Sequence, residues 1–151
     1  MELVNRKATY RMYPGKVQEE ALLTLLGLHQ RVYNTALEER IRAYQESAQS
    51  TSFASQCREL TGWRKQCESL AGVNAQSLQV TLKRLDLAYQ AFFHRVKSGE
   101  EAPGFPRFKP VQRFSGWGYK THGDGWRLHA GEQVNYPALK GGAWKSSVDQ
   151  T

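Results

Sequence analysis

A chain of 151 residues, 40% hydrophobic and 23% charged, is long enough for one packed core and too rich in apolar residues for global disorder. Its formal charge of +7 favours polyanionic partners, because each Lys or Arg that neutralises a phosphate releases condensed counterions. Two cysteines, Cys57 and Cys67, are too few for a disulfide scaffold or a cysteine-rich zinc site, and no stretch approaches the roughly 18 apolar residues of a membrane span or forms a leader-like h-region. The expectation is a cytoplasmic protein with no membrane contact and no cofactor.

Residues 6–13 alternate, with Ala8, Tyr10 and Met12 opposite Lys7, Thr9 and Arg11, which predicts a half-buried strand ended by Pro14 and Gly15. From Val17 the period becomes helical. Leu22, Leu25, Leu26, His29, Val32, Tyr33, Ala36, Leu37, Arg40 and Tyr44 form one stripe of a long helix reaching about Ser47, with Glu19 and Glu20 complementing the positive end of its dipole. A Ser-rich loop over 47–55 leads to a short helix built on Phe53, Cys57 and Leu60, which Trp63 and Leu70 lock onto its longer neighbours. Asn74 is a good N-cap for a second long helix, whose stripe of Leu78, Leu82, Leu85, Tyr89, Phe92, Phe93 and Val96 is the cleanest periodic signal in the chain.

Beyond Pro103 the composition shifts to Gly, Pro, aromatic and basic residues. Phe105, Phe108, Phe114, Trp117, Tyr119 and Trp126 alternate with Arg107, Lys109, Arg113, Lys120 and Arg127, broken by Gly123-Asp124-Gly125, and this predicts short strands joined by tight turns. The strand near the start has no sequence-adjacent partner, so it must pair with strands after residue 103. The fold class read from this order is α+β: a split, partial barrel with an inserted helical block. Its parts are a first strand in 1–16, a helical insertion in 17–97, the remaining strands in 98–141, and a tail in 142–151.

The positive charge falls in three blocks: residues 1–16 carry +3, 75–97 carry +3 and 103–131 carry +4. Guanidinium and ammonium groups contact phosphate while ring faces stack on unpaired bases, so a basic stretch interleaved with aromatics suits nucleic acid. The candidate nucleic-acid contacts are Arg11, Lys16, Lys83, Arg84, Arg95, Arg107, Lys109, Arg113 and Lys120, with Trp117 and Tyr119 as stacking platforms. Most of the other rings read as core. His29, His94, His122 and His129 are scattered without metal-ligand spacing, Glu38-Glu39 and Glu100-Glu101 read as solvated edges, and no carboxylates cluster for two-metal phosphodiester hydrolysis. No catalytic residue and no metal ligand is assigned.

A family resemblance is carried by Tyr10-Arg11-Met12-Tyr13-Pro14 followed by Gln18-Glu19-Glu20, by Arg31-Val32-Tyr33-Asn34-Thr35-Ala36-Leu37-Glu38, by Ser77 through Phe93 with its Leu85-Asp86, and by Gly104-Phe105-Pro106-Arg107-Phe108-Lys109. In this order they resemble the start of TnpB, also called OrfB, the transposase-associated protein of bacterial insertion sequences. Val134 through Gly141 is similar to a further strand of that family, and the likeness spans about residues 6–141.

The resemblance implies a wedge-like β-barrel holding an inserted recognition lobe, catalogued as a helix-turn-helix, that together grip a guide RNA and target DNA. It also implies a later RuvC-like nuclease domain with three metal-binding acids and a zinc-binding cysteine pair. The tail after Gly141 departs from the family pattern, so no catalytic acid carries over. The expected function is therefore nucleic-acid binding by a truncated TnpB/OrfB-type protein that is not an enzyme alone. Two alternatives share these observations: an inert relic or interaction fragment of a frameshifted gene, and one half of an RNA-guided endonuclease completed by a separately encoded nuclease domain.

Overall fold

The computed structural model describes residues 9–121, 123, 124, 126–129, 133–137 and 143–149. Parts of the readings above fall elsewhere: Arg6, Lys7, Ala8, His122, Gly125 and residues 138–142 lie outside the described residues.

Helix dominates. Helix α1 (Lys16–Ser47) has 32 residues, α2 (Phe53–Gln66) 14, α3 (Glu68–Ala71) four and α4 (Ala75–Lys97) 23. Both long helices fall within a residue of their predicted bounds because their apolar residues recur at three and four. Their ends are chemically marked. The Gln18 side chain accepts from the Gly15 backbone N–H at 2.8 Å, and Asn74 accepts from the Ser77 N–H at 3.0 Å, so each entry satisfies an otherwise orphan donor. Helix α1 stops at Ala48, whose left-handed backbone (φ 51°) sends its N–H back to the Tyr44 carbonyl.

The core sits where α1, α2 and α4 meet. Leu37, Leu60, Leu78, Leu82 and Leu85 are all within 2% of full burial, with Val32, Tyr33, Ala36 and Val73 around them and Trp63 and Leu70 packed at the margin. A polar network runs through this core. Arg40 Nε donates to Gln56 Oε1 at 2.8 Å, its Nη2 meets Asp86 Oδ1 at 3.1 Å, and Gln56 Nε2 donates to the Ala36 carbonyl at 2.9 Å. The guanidinium also lies 4.8 Å from the centre of the Tyr89 ring. A buried charge survives only when paired and hydrogen-bonded, and here one arginine ties three helices together. Outside the core, Arg64 reaches the carbonyls of Leu70, Ala71 and Val73, satisfying the end of the four-residue α3.

The expected fold class is overturned: the chain is mostly helical, not an α+β partial wedge-like barrel. Strands are short: β1 (Arg11–Tyr13), β2 (Arg127–His129), β3 (Gln133–Pro137) and β4 (Ala143–Asp149). They pair antiparallel in the order β1-β4-β3-β2, with Met12 opposite Val148 and Tyr136 opposite Trp144, so the ribbon is open at β1 and β2 and closes no barrel. No residue of β1 belongs to the described hydrophobic core.

The described residues of 98–126, a segment expected to supply barrel strands, hold no strand; their one regular piece is a turn of 3-10 helix at Val111–Arg113. The physical reason is in the sequence. Pro103, Pro106 and Pro110 each lack an N–H and fix φ, which breaks any ladder across the segment. Phe105, Phe114 and Trp117 serve instead as pegs on the helices.

Candidate nucleic-acid interface

Residues 98–121 form a strap laid over α1 and α4, held by its aromatic side chains and its backbone. Phe114 is buried and meets the Tyr33 ring edge-on at 5.9 Å, and Phe105 meets Tyr89 and Phe92 edge-on at 5.4 and 5.2 Å. Trp117 stacks on His29 at 5.2 Å with 13° between the rings, and its indole N–H donates to the Tyr119 hydroxyl at 3.0 Å. Asn34 of α1 grips the strap at Lys109 from both sides: its Nδ2 donates to the Lys109 carbonyl at 2.9 Å and its Oδ1 accepts from the Lys109 N–H at 3.0 Å. Gln30 donates to the same carbonyl. From α4, Arg84 donates to the Gly116 carbonyl and Arg95 to that of Gly104.

This clamping decides which cations are left for a ligand. Residues 103–121 contain Arg107, Lys109, Arg113 and Lys120 and no Asp or Glu. Arg107 and Arg113 are exposed, and among the described residues neither side chain makes a hydrogen bond or ion pair. Lys109 is exposed, with its ammonium 4.9 Å from the centre of the Tyr33 ring. The strap thus presents three cations within seven residues on a backbone fixed to the core. A pre-positioned array of this kind loses little freedom when it meets phosphates.

The other predicted contacts divide. Lys83 and Arg84 are neighbours in sequence but diverge: Lys83 sits 3.8 Å from Asp86 and over the Phe53 ring, toward α2, while Arg84 reaches the strap. Arg95 also lies 4.0 Å from Glu100, and Lys120 donates to Gln79 at 3.0 Å. Arg11 lies over the Tyr13 ring on β1, and Lys16 is exposed in the first turn of α1. Trp117 and Tyr119 are half-buried, with one indole face covered by His29.

Several residues that organise the site carry no sequence signal of function. His29 is fully buried, Nδ1 2.7 Å from the Leu25 carbonyl and Nε2 3.0 Å from Ser77 Oγ; burial lowers its pKa, helped by nearby Arg84 and opposed by the Leu25 hydrogen bond. Burial likewise pushes the Cys57 thiol up, away from reactive thiolate character. Glu39, expected to be a solvated edge, is half-buried against Glu59. Burial, then the hydrogen bond and repulsion from Glu59, raise its pKa to about 7 against the pull of Arg42 and Arg40.

The metals that the resemblance attaches to nuclease and zinc sites find no donor set here. Among the described residues no three His, Cys, Asp or Glu side chains are grouped to hold an ion, and no hydrolytic step is assigned to these residues. No helix among the described residues is long and apolar enough to cross a membrane.

Two comparisons bear on this arrangement. The family model for the helix-turn-helix domain of OrfB proteins of the IS605 type matches residues 1–49. In the structure the described part of that segment holds β1 and one uninterrupted helix, α1, which packs on α4 and is tied to α2 by the Gln56 bonds to Arg40 and Ala36. A protein of Streptomyces pristinaespiralis named as an RNA-guided DNA endonuclease is 33% identical over 111 residues, covering 72% of this chain; the chain spans 26% of that relative's length. The quoted motifs also meet in space, since Asn34 of the first helix holds Lys109 of the Pro-Arg-Phe-Lys turn and Asp86 of the second pairs with Arg40. Together the two matches support a TnpB/OrfB-type protein.

Proposed function

We propose that the chain binds nucleic acid through its strap, with Arg107, Lys109 and Arg113 as the principal phosphate contacts and Arg84, with part of its guanidinium spare, beside them. The observation that carries this reading is the acid-free strap whose cations are exposed while its backbone is clamped by Asn34. Lys83, Arg95 and Lys120 have a supporting role, since each holds a neighbouring element while keeping its charge. Arg11 and Lys16 extend the positive field from the start of the chain. The name of the relative makes a guide-type RNA and its DNA target the polyanions to try first.

Binding by phosphate contact depends steeply on salt: log affinity falls with log salt at a slope of about −0.9 per neutralised phosphate on duplex DNA and about −0.7 on single strands. Gel shifts over a salt series measure that slope. The Arg107→Ala/Lys109→Ala/Arg113→Ala variant is expected to bind more weakly, with a slope shallower by about 2 to 3. An unchanged slope contradicts the assignment of these three residues, and absence of binding to any RNA or DNA at low salt contradicts the function.

A further inference from the structure

The C-terminal halves of α1 and α4 and the strap enclose a cleft of about 470 Å³ that the phosphate contacts do not use. Tyr44, Tyr89, Phe92, Phe93 and Phe105 wall it, and Tyr44, Phe93 and Phe105 remain 69%, 50% and 44% exposed. Water covers rings of this size at a cost, and a contiguous exposed aromatic patch marks a place where something binds. A second observation points the same way. Tyr89 is only 8% exposed, yet its hydroxyl is buried without a hydrogen-bond partner among the described residues. Buried hydroxyls in native structures are normally paired, so this one is suited to the polar edge of a ligand.

We propose that this cleft stacks an unpaired base of a bound strand, a step that rests on the nucleic-acid reading above. A base is flat and aromatic with donors and acceptors along its edge, which matches ring walls, the Tyr89 hydroxyl and the rim amides of Gln45 and Gln49. An apolar protein side chain would cover the rings but leave that hydroxyl unpaired. Charge does not oppose it: among the described residues no acid lines the cleft, and the charged side chain in its lining, Arg40, is already paired with Asp86. Phe105 stands two residues before Arg107 on the strap, and α4 ends with Arg95 and Lys97, so a base held between the rings leaves its backbone beside cations.

The test compares the 151-residue chain binding three probes at one salt concentration, by fluorescence anisotropy: a natural single strand, an abasic strand of equal length, and a duplex. The natural strand is expected to bind about 5-fold or more tighter than the abasic one, the effect of one base stacked on an aromatic ring. Tyr44→Ala and Phe93→Leu, both at exposed positions, are each expected to erase that preference while leaving abasic binding unchanged. Tyr89→Phe is expected to reduce it.

Equal binding of the natural and abasic strands, or a preference that survives both ring variants, overturns the stacking site and leaves the phosphate reading standing. Binding of the duplex with neither single strand does the same. A chain that self-associates through this face, shown by a dimer that Tyr44→Ala dissociates, also overturns it. Failure to bind any of the three probes overturns both readings together.

Discussion

The helical bundle and the strap use the same residue types to opposite ends. In the bundle, charge is turned inward: Arg40 is buried, paired with Asp86, bonded to Gln56 and laid on Tyr89. In the strap the rings of Phe105, Phe114 and Trp117 turn toward the helices, and Arg107 and Arg113 are left in solvent. An arginine in the first setting specifies how helices meet, and in the second it is available to an anion. The difference teaches that basic residues are informative about binding only once the contacts of their own element are known.

The largest expected break of this contrast lies in the bundle. Leu82→Ala removes a fully buried side chain and is expected to cost about 2–5 kcal/mol in a denaturant titration, whereas Phe108→Ala, at a strap position 54% exposed, is expected to stay within about 0.5 kcal/mol. Comparable losses from the two would mean that Phe108 is packed like a core side chain.

A smaller effect separates the clamp from the core. Asn34→Ala deletes both hydrogen bonds to the Lys109 backbone and is expected to cost about 1–2 kcal/mol. Proteolysis should become faster within residues 103–113 while α1 and α4 keep their helicity. A strap as resistant as before would show that the aromatic pegs alone hold it.

The smallest effect is a pH dependence within the bundle. Glu39 is raised from its ordinary value of 4.5 to about 7 in the folded chain, so the folded state takes up a proton that the unfolded state releases between those values. Stability is therefore greatest below about 4.5 for this group and falls as pH rises through 7. Because the site is only partly shielded from water, the effect is on the order of 1 kcal/mol. Glu39→Gln keeps a donor for Glu59 and should flatten that fall, measured as melting temperature from pH 5 to 8. An unaltered profile would place the titrating group elsewhere.

The helices were legible in the sequence because periodicity, the Asn74 cap and the Ser-rich loop all agree with burial against one core. The strap was not, because alternation of ring and cation is produced equally by a strand and by a pegged loop. Pro103, Pro106 and Pro110 carried the deciding signal. Among candidate contacts, composition drew attention to Arg107, Lys109, Arg113, Lys120 and Arg127 alike, and only the contacts of the strap set the first three apart. That Arg84 and Arg95 would spend donors on strap carbonyls depended on contacts 32 and 9 residues away, and the Asn34 grip on Lys109 on one 75 residues away. Glu39 was missed because a Glu-Glu pair reads as surface until Glu59 of another helix is brought beside it.

Hydrogen exchange of the chain with and without bound nucleic acid tests the central claim most directly. Amides of residues 104–114 are predicted to slow on binding while those of 53–71, in α2 and α3, stay as they are. Protection confined to α2 and α3, with the strap unchanged, would contradict it.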